Sequence, residues 1–455
     1  MEDSELERDQ PLTPAGRLFL QPLMDQVINC AIASVDPLDI EAFKNVVRNS
    51  VMLKHPRFCS LMVRDSGGRE HWRRTEVNID HHLIIRHQPL SDDSEDDAVN
   101  DYMADLSFSS PLSMDKPLWE IHLLVAHRTA VFRLHHALGD GISLMSMLLS
   151  SCRRIDDPEK IPAIGGVGAS SSPRKQLGLL TLLKVVWYTL IYVLELSIRT
   201  LWLRDKRTVL SGGAGVELWP RKLATSSFSL EDMKTVKRAV PDATINDVLF
   251  GIITCGFSKY LDIRSPKALK EGHQITGVAM VNLRPHSGLQ DFSKLMDGKS
   301  RTRWGNKFGM LLLPVHYHGD CSNPLQFVER AKAMIDKKKL SLEASCSYKI
   351  GNILTSLFGA KLASILNYRI VCNTTFTMSN LVGPREKISL ASNPVKYIRV
   401  SSSSLSHAVT MHMVSYAGTA DMQILVAKDV IPDPKVLAKC LEDALVEMKE
   451  AAVKT

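Results

Sequence analysis

Residues 176–203, "QLGLLTLLKVVWYTLIYVLELSIRTLWL", place the tightest constraint on how this chain can fold. As a helix the run is long enough to cross a bilayer, yet Lys184 and Glu195 fall inside it. On a helical wheel Thr181, Lys184, Tyr188, Tyr192, Glu195 and Arg199 gather in one stripe narrower than a quarter of the circumference. A helix surrounded by lipid would have to hold that stripe in hydrocarbon. Two arrangements avoid this cost: the helix lies in the membrane interface with its stripe toward water, or the stripe packs on protein. Arg199, Arg204, Lys206 and Arg207 at the trailing end suit anionic headgroups. A hydrophobic helix between two soluble domains is the competing reading. We expect membrane association, either spanning the bilayer or lying on it.

The same segment divides the chain. Its 455 residues are enough for two or three domains with substantial cores. Before the segment, "PLDIEAFKNVVRNSVML" has helical spacing, residues 68–88 read as strands, and "SDDSEDD" from Ser91 reads as a solvated loop or helix start. "LWEIHLLV" and "TAVFRLHH" read as two strands joined at Ala126-His127-Arg128. Gly/Ser-rich residues 163–175 read as a linker. Beyond it, "SLEDMKTVKRAV" and "TINDVLFGIITCGFSKYLD" are expected helices, the second capped by Thr244 with Asp247 three residues on. "QITGVAMVNLRP", "NKFGMLLLPVHYH" and "NTTFTMSNLVGP" are strand-like; a hairpin turning near Gly418 and a closing helix follow. The expected organisation is an α/β lobe over 1–162, a linker with the hydrophobic helix over 163–225, and a second α/β lobe over 226–455.

Net charge of +7 favours anionic ligands only mildly. With no basic stretch interleaved with aromatics, nucleic acid is not an expected partner. The eight cysteines contain no CxxC pair, which argues against zinc and disulfide frameworks alike. The polar start "MEDSELERDQ" has no apolar core for a signal peptide, so the lobes are expected to face the cytosol.

The chemistry concentrates in "FRLHHALGDGISLMSMLLS", residues 132–150. A strand ends in two histidines, a Gly-Asp-Gly turn follows, and a packed helix begins. His136 and Asp140 are four apart, but Gly139 and Gly141 make a continuous helix there unlikely and no third ligand is near, so no metal is expected. A bare pair is weak evidence, since His81-His82 repeats it. Glycines permit positive φ and a tight reversal, which would hold a strand-end imidazole at a lobe edge. Asp140 would bond the loop backbone or an arginine, a structural role. A neutral imidazole so held suits transfer of an acyl group from a thioester to an alcohol, taking the hydroxyl proton and passing it to the departing thiolate. There is no G-x-S-x-G elbow, which argues against a serine hydrolase.

"HHALGDG" fits the HHxxxDG signature of acyl-CoA-dependent acyltransferases. "PLTPAGRLF", "HPRF", "PLW" at Pro117, "ND" at Asn246, "VNLRP", "WGNKFG" and "MSNLVGP" follow in an ordered set. Together, from about Pro11 to the final helix, they resemble the plant-type wax ester synthase/diacylglycerol acyltransferase family. The resemblance implies two chloramphenicol-acetyltransferase-like lobes with a tunnel between them, entered by fatty acyl-CoA from one side and by a long-chain alcohol or diacylglycerol from the other. It implies His136 as general base, His135 as its motif neighbour, and Asp140 and Gly141 as holders of the loop. Asn246, Asp247, Asn380, Gly383 and Pro384 would shape the facing wall. A buried Asn380 is the expected donor to the oxyanion, by residue type alone. No cofactor is expected, acyl-CoA being a substrate. Membrane lipid is an expected partner, and the endoplasmic reticulum membrane, or else the plasma membrane, the expected location. Three alternatives differ in kind. A soluble BAHD acyltransferase would carry DFGWG near its end, where this chain has only "WGNKFG" at mid-chain. A condensation domain would require carrier-protein modules, and a lipid-binding protein could keep the fold without turnover.

Overall fold

The computed structural model describes residues 9–108, 111–162, 178–284, 304–320 and 322–454; the expected linker 163–175 lies outside them. Two mixed sheets organise the chain. The first, of seven strands, runs in the order Leu83–Arg86, Trp119–Leu124, Thr129–His135, Val27–Ser34, Asn393–Ser402, Ile388–Leu390 and Arg153–Arg154. The second, of six, runs Phe308–His316, Gln274–Asn282, Phe376–Val382, Val409–Tyr416, Thr419–Ala427 and Arg221–Ser229. Central strands are buried on both faces because helices or the other lobe cover them: Thr129–His135 is buried throughout.

The sheets exchange segments across chain order. Asn393–Ser402 comes late in the chain but pairs antiparallel with Val27–Ser34 in the first sheet. Its Val395 and Ile398 fill the first lobe's core, and that burial selects its partner. Arg221–Ser229 closes the second sheet beside Thr419–Ala427. Val409–Tyr416 is the seam between lobes. Its Met411 and Met413 enter the second core while Val414 and Tyr416 enter the first, as the period-two alternation of a strand allows.

Local signals explain most helices. Thr244 and Asp247 form a capping box on Ile245–Arg264. Ser94 caps Glu95–Leu106, so the acidic run is a helix start; its Glu95, Asp96 and Asp97 pair with Arg128, Arg399 and Lys435. The strand Asn393–Ser402 and the helices Leu325–Lys339 and Glu343–Cys372 had no sequence assignment; the last is broken at Gly359, whose φ is 86°.

The hydrophobic helix spans Leu179–Leu201; its polar stripe turns toward the protein from Tyr188 to Arg199, while Lys184 near its start is exposed. Arg199 is buried, donating to Asp205 at 2.9 Å and to Thr276 Oγ1 at 2.8 Å. Lys338 Nζ lies 3.5 Å from the centre of the Tyr192 ring and pairs with buried Glu343 at 2.8 Å. Lys338, in the middle of three consecutive lysines, is therefore sealed inside, although such a run more often forms a solvated face. The opposite side is bare: Leu179, Leu180, Leu183, Trp187, Leu190 and Leu194 are each more than half exposed. This excludes a buried helix between soluble domains, because the apolar side is the one left uncovered. The helix is long and apolar enough to cross a membrane.

Candidate active site

His135 ends the strand Thr129–His135 and His136 follows it at the turn; His135 is buried in the first lobe while His136 borders a cavity. His135 is buried and structural. Its Nδ1 accepts from Ala137 N at 3.1 Å and its Nε2 donates to Asp25 at 2.8 Å, which shapes the turn out of the strand. His136 opens instead on a cavity with about 1700 Å³ of empty space, mouth included, between the two sheets. Its ring stacks on Phe19 at 4.0 Å and meets Phe308 edge-on at 5.8 Å. Nδ1 lies 3.0 Å from Asn306 Oδ1, while Asn306 Nδ2 donates to the His136 carbonyl at 2.8 Å. The second bond fixes which way the amide faces, so Oδ1 accepts and Nδ1 carries the proton. Nε2 is then the basic nitrogen. Although the ring touches the cavity, burial pushes its pKa down to about 4, against the pull of Asp140, so it is neutral at pH 7.

Asp140 caps the helix Gly141–Ser150, accepting from Ser143 N at 3.0 Å. Its other oxygen takes Arg284 at 2.7 Å and Lys307 N at 2.9 Å. Arg284 reaches on to Ser143 Oγ and the Gly305 carbonyl, so the "VNLRP" and "WGNKFG" segments are bolted onto the histidine loop. Trp304 Nε1 and Arg57 add donors to the Leu138 carbonyl, at 2.6 and 3.0 Å. Neither glycine of Gly-Asp-Gly has positive φ, contrary to the sequence argument. Gly139 is the tighter of the two, since a Cβ there would sit 3.3 Å from the Trp304 ring and from Ser143 Cβ; at Gly141 it would meet nothing within 4 Å.

Most of the expected facing wall lies elsewhere. Among the five residues named for it, Asn380 alone borders the cavity. Asn380 is exposed and its Nδ2 is engaged by Asn246 Oδ1 at 3.0 Å, so it is not the buried donor expected from residue type. Asp247 is fully buried as the helix cap on Thr244. Gly383 hydrogen-bonds Ser415 O at 3.0 Å, a Cβ on it would lie 2.3 Å from that oxygen, and the Pro384 carbonyl accepts from Ala417 N. These two close the strand end and do not touch the cavity. Its real facing wall carries Thr377, Ser379, Leu381, His412 and Val414 from two parallel strands in register. His412 was missed. Burial, helped by repulsion from His136, pushes it down to about 4, and its buried Nδ1 has no hydrogen-bond partner among the described residues. Asn306, Arg284 and Phe19 lay inside the quoted motifs without a role. His412 stands in a strand with no motif to mark it.

The comparisons agree with this architecture. The wax ester synthase/diacylglycerol acyltransferase catalytic domain matches residues 26–249, and the C-terminal domain of the same family matches residues 304–449. Wax ester synthase/diacylglycerol acyltransferase 11 of Arabidopsis thaliana is 33% identical, over 99% of this chain and 96% of its own length. Wax ester synthase/diacylglycerol acyltransferase 4 of that plant is 34% identical, over 99% and 92%. Among solved structures, the wax ester synthase/diacylglycerol acyltransferase from Marinobacter aquaeolei VT8 superposes with a TM-score of 0.61 at 16% identity, covering 98% of this chain and 100% of that one. The first condensation domain of the calcium-dependent antibiotic synthetase gives 0.59 at 14%, covering 98% and 97%. At such identities they speak to the fold alone, two chloramphenicol-acetyltransferase-like lobes. Two matched domains and full-length relatives at a third identity place the chain in the wax ester synthase/diacylglycerol acyltransferase family.

Proposed function

We propose that this protein transfers a fatty acyl group from acyl-CoA to a long-chain alcohol, making a wax ester, with diacylglycerol as the weaker acceptor and triacylglycerol as its product. The observation that carries this reading is His136, a neutral imidazole whose Nδ1 is held by Asn306 and whose Nε2 is left as base in an interlobe cavity. The acceptor oxygen attacks the thioester carbonyl carbon while Nε2 takes its proton. The C–S bond then breaks, and the same proton goes to the thiolate, releasing CoA as the thiol. No enzyme nucleophile is needed, because the thioester is already activated. Asp140 and Arg284 keep the loop in place and do not touch the reacting atoms.

Membrane lipid supplies the second substrate in this reading. The bare face of Leu179–Leu201 supports attachment to a membrane, which we take to be the endoplasmic reticulum with the lobes toward the cytosol. Membranes carrying the wild type or His136→Ala are incubated with labelled acyl-CoA and either acceptor. Wax ester yield should fall at least 100-fold in the variant. Equal yield from both proteins would remove His136 from the mechanism, and triacylglycerol without wax ester would reverse the order of acceptors. Complete release of the protein by carbonate would rule out a spanning helix.

A further inference from the structure

The broken helix Glu343–Cys372 begins and ends on the same neighbour. Leu342 N donates to Thr189 Oγ1 at 2.9 Å, while at the far end Arg369 donates to the Leu201 carbonyl and Asn373 to the Arg199 carbonyl. Thr189 and Leu201 are about 18 Å apart along their helix, whereas an unbroken helix from 342 to 369 would reach about 40 Å. The break at Gly359, φ 86° and ψ 159°, accounts for the difference. The two arms fold into a V with Leu357, Phe358 and Gly359 at its apex.

Each arm is apolar outside and faces the reaction inside. Tyr348, Asn352 and Thr355 of the first arm and Val371 of the second line the cavity of His136. On the outer side Ile353 is 56% exposed, Leu357 71% and Phe358 62% on the first arm, and Leu362 39% and Ile365 37% on the second. One thickness of helix, about 10 Å, therefore separates the catalytic cavity from the surroundings. Both ends of the V are anchored on Leu179–Leu201, a helix of membrane-crossing length whose own outer side is likewise apolar and bare. Exposed Lys349 and Lys361 flank the apolar apex, as side chains do that reach from hydrocarbon to anionic headgroups.

We propose that this V-shaped helix rests on a lipid bilayer by its apex and forms the door through which the hydrophobic acceptor passes laterally from lipid to His136. The proposal builds on the acyl-transfer reading and adds the route. Its test delivers one acceptor by two carriers. Full-length wild type and the Leu357→Asp/Phe358→Asp variant receive acyl-CoA and hexadecanol, the alcohol held either in phosphatidylcholine/phosphatidylserine vesicles or in a soluble cyclodextrin complex. The variant should lose at least tenfold in rate from vesicles and stay within about threefold of wild type from cyclodextrin. Leu357→Ala/Phe358→Ala should fall between. Equal rates from vesicles would overturn the door, as would a uniform loss from both carriers. A change of oligomeric state with the vesicle rate preserved would also overturn it, assigning the face to a second copy of the chain. No ester from wild type with either carrier would sink the acyl-transfer reading itself.

Discussion

Replacing Asp140 by alanine distinguishes a residue that builds the site from one that reacts. The carboxylate is 7% exposed and the Arg284 side chain is 0% exposed, with 2.7 Å between them. Asp140→Ala removes a helix cap, about 1 kcal/mol, and takes the counter-charge from a buried guanidinium, about 3–5 kcal/mol. Arg284 keeps Ser143 Oγ at 3.0 Å and the Gly305 carbonyl at 2.7 Å, which puts the second cost at its lower end. The expected loss is about 4 kcal/mol, a large share of the roughly 5–15 kcal/mol that holds a typical domain folded. Adding Arg284→Met removes the stranded charge. Exchange of a buried ion pair for apolar groups is often close to neutral, so the double variant should lose only about 1–2 kcal/mol. Urea unfolding followed by tryptophan fluorescence reads both, Trp304 being part of the same joint. Ester formation should return with folding in the double variant, since Asn306 still orients His136. A double variant no more stable than Asp140→Ala would refute the reasoning, and so would a single variant costing under about 1 kcal/mol.

Asn306→Leu should lower kcat about 10- to 100-fold with little change in KM, because Nδ1 loses the acceptor that sets its tautomer; steady-state kinetics with an unchanged kcat would remove that role. Gly309→Ala should cost about 1–3 kcal/mol in urea unfolding, since its Cβ would overlap Ala344 O, whereas Gly141→Ala, with open space around it, should stay within about 0.5 kcal/mol. His55, His82, His136, His407 and His412 are pushed by burial down to between about 3 and about 4. The folded state thus binds fewer protons than the unfolded chain, and stability should fall as pH drops below about 6.5, with unfolding at pH 5 taking up more than two protons. Urea unfolding that is independent of pH between 7 and 5 would contradict this.

The strand, turn and helix around His136 were legible because each depends on local chemistry: alternating apolar residues, a glycine-flanked aspartate, then helical spacing. Partnership across 140 or more positions was not. Arg284 and Asn306 could be quoted as parts of motifs, but only the assembled lobes bring them to Asp140 and His136. Asn380 failed as a buried donor because residue type says nothing of exposure. The helix Glu343–Cys372 escaped for a different reason. Amphipathic periodicity assumes one apolar face against one polar face, whereas this helix has mixed polar and apolar residues toward the cavity and a second apolar row outward.

The helix Leu179–Leu201 shows why its stripe alone left the choice between water and protein open. Spacing reports that polar residues share a side; it does not report what lies on that side. The deciding groups are elsewhere in the chain: Asp205, Thr276, Lys338 and Glu343 take up Arg199 and cover Tyr192. Once charge is satisfied inward, the leucines have nowhere to go but out. In water, each fully exposed leucine forgoes roughly 1.5–3 kcal/mol of burial. A row of six such apolar residues more than half exposed is therefore a cost that only a nonaqueous neighbour removes. The V-shaped helix repeats the arrangement directly over the catalytic cavity. An enzyme whose acceptor dissolves in lipid gains from placing its uncovered surface and its base on opposite sides of a single helix, because the acceptor then never has to cross water.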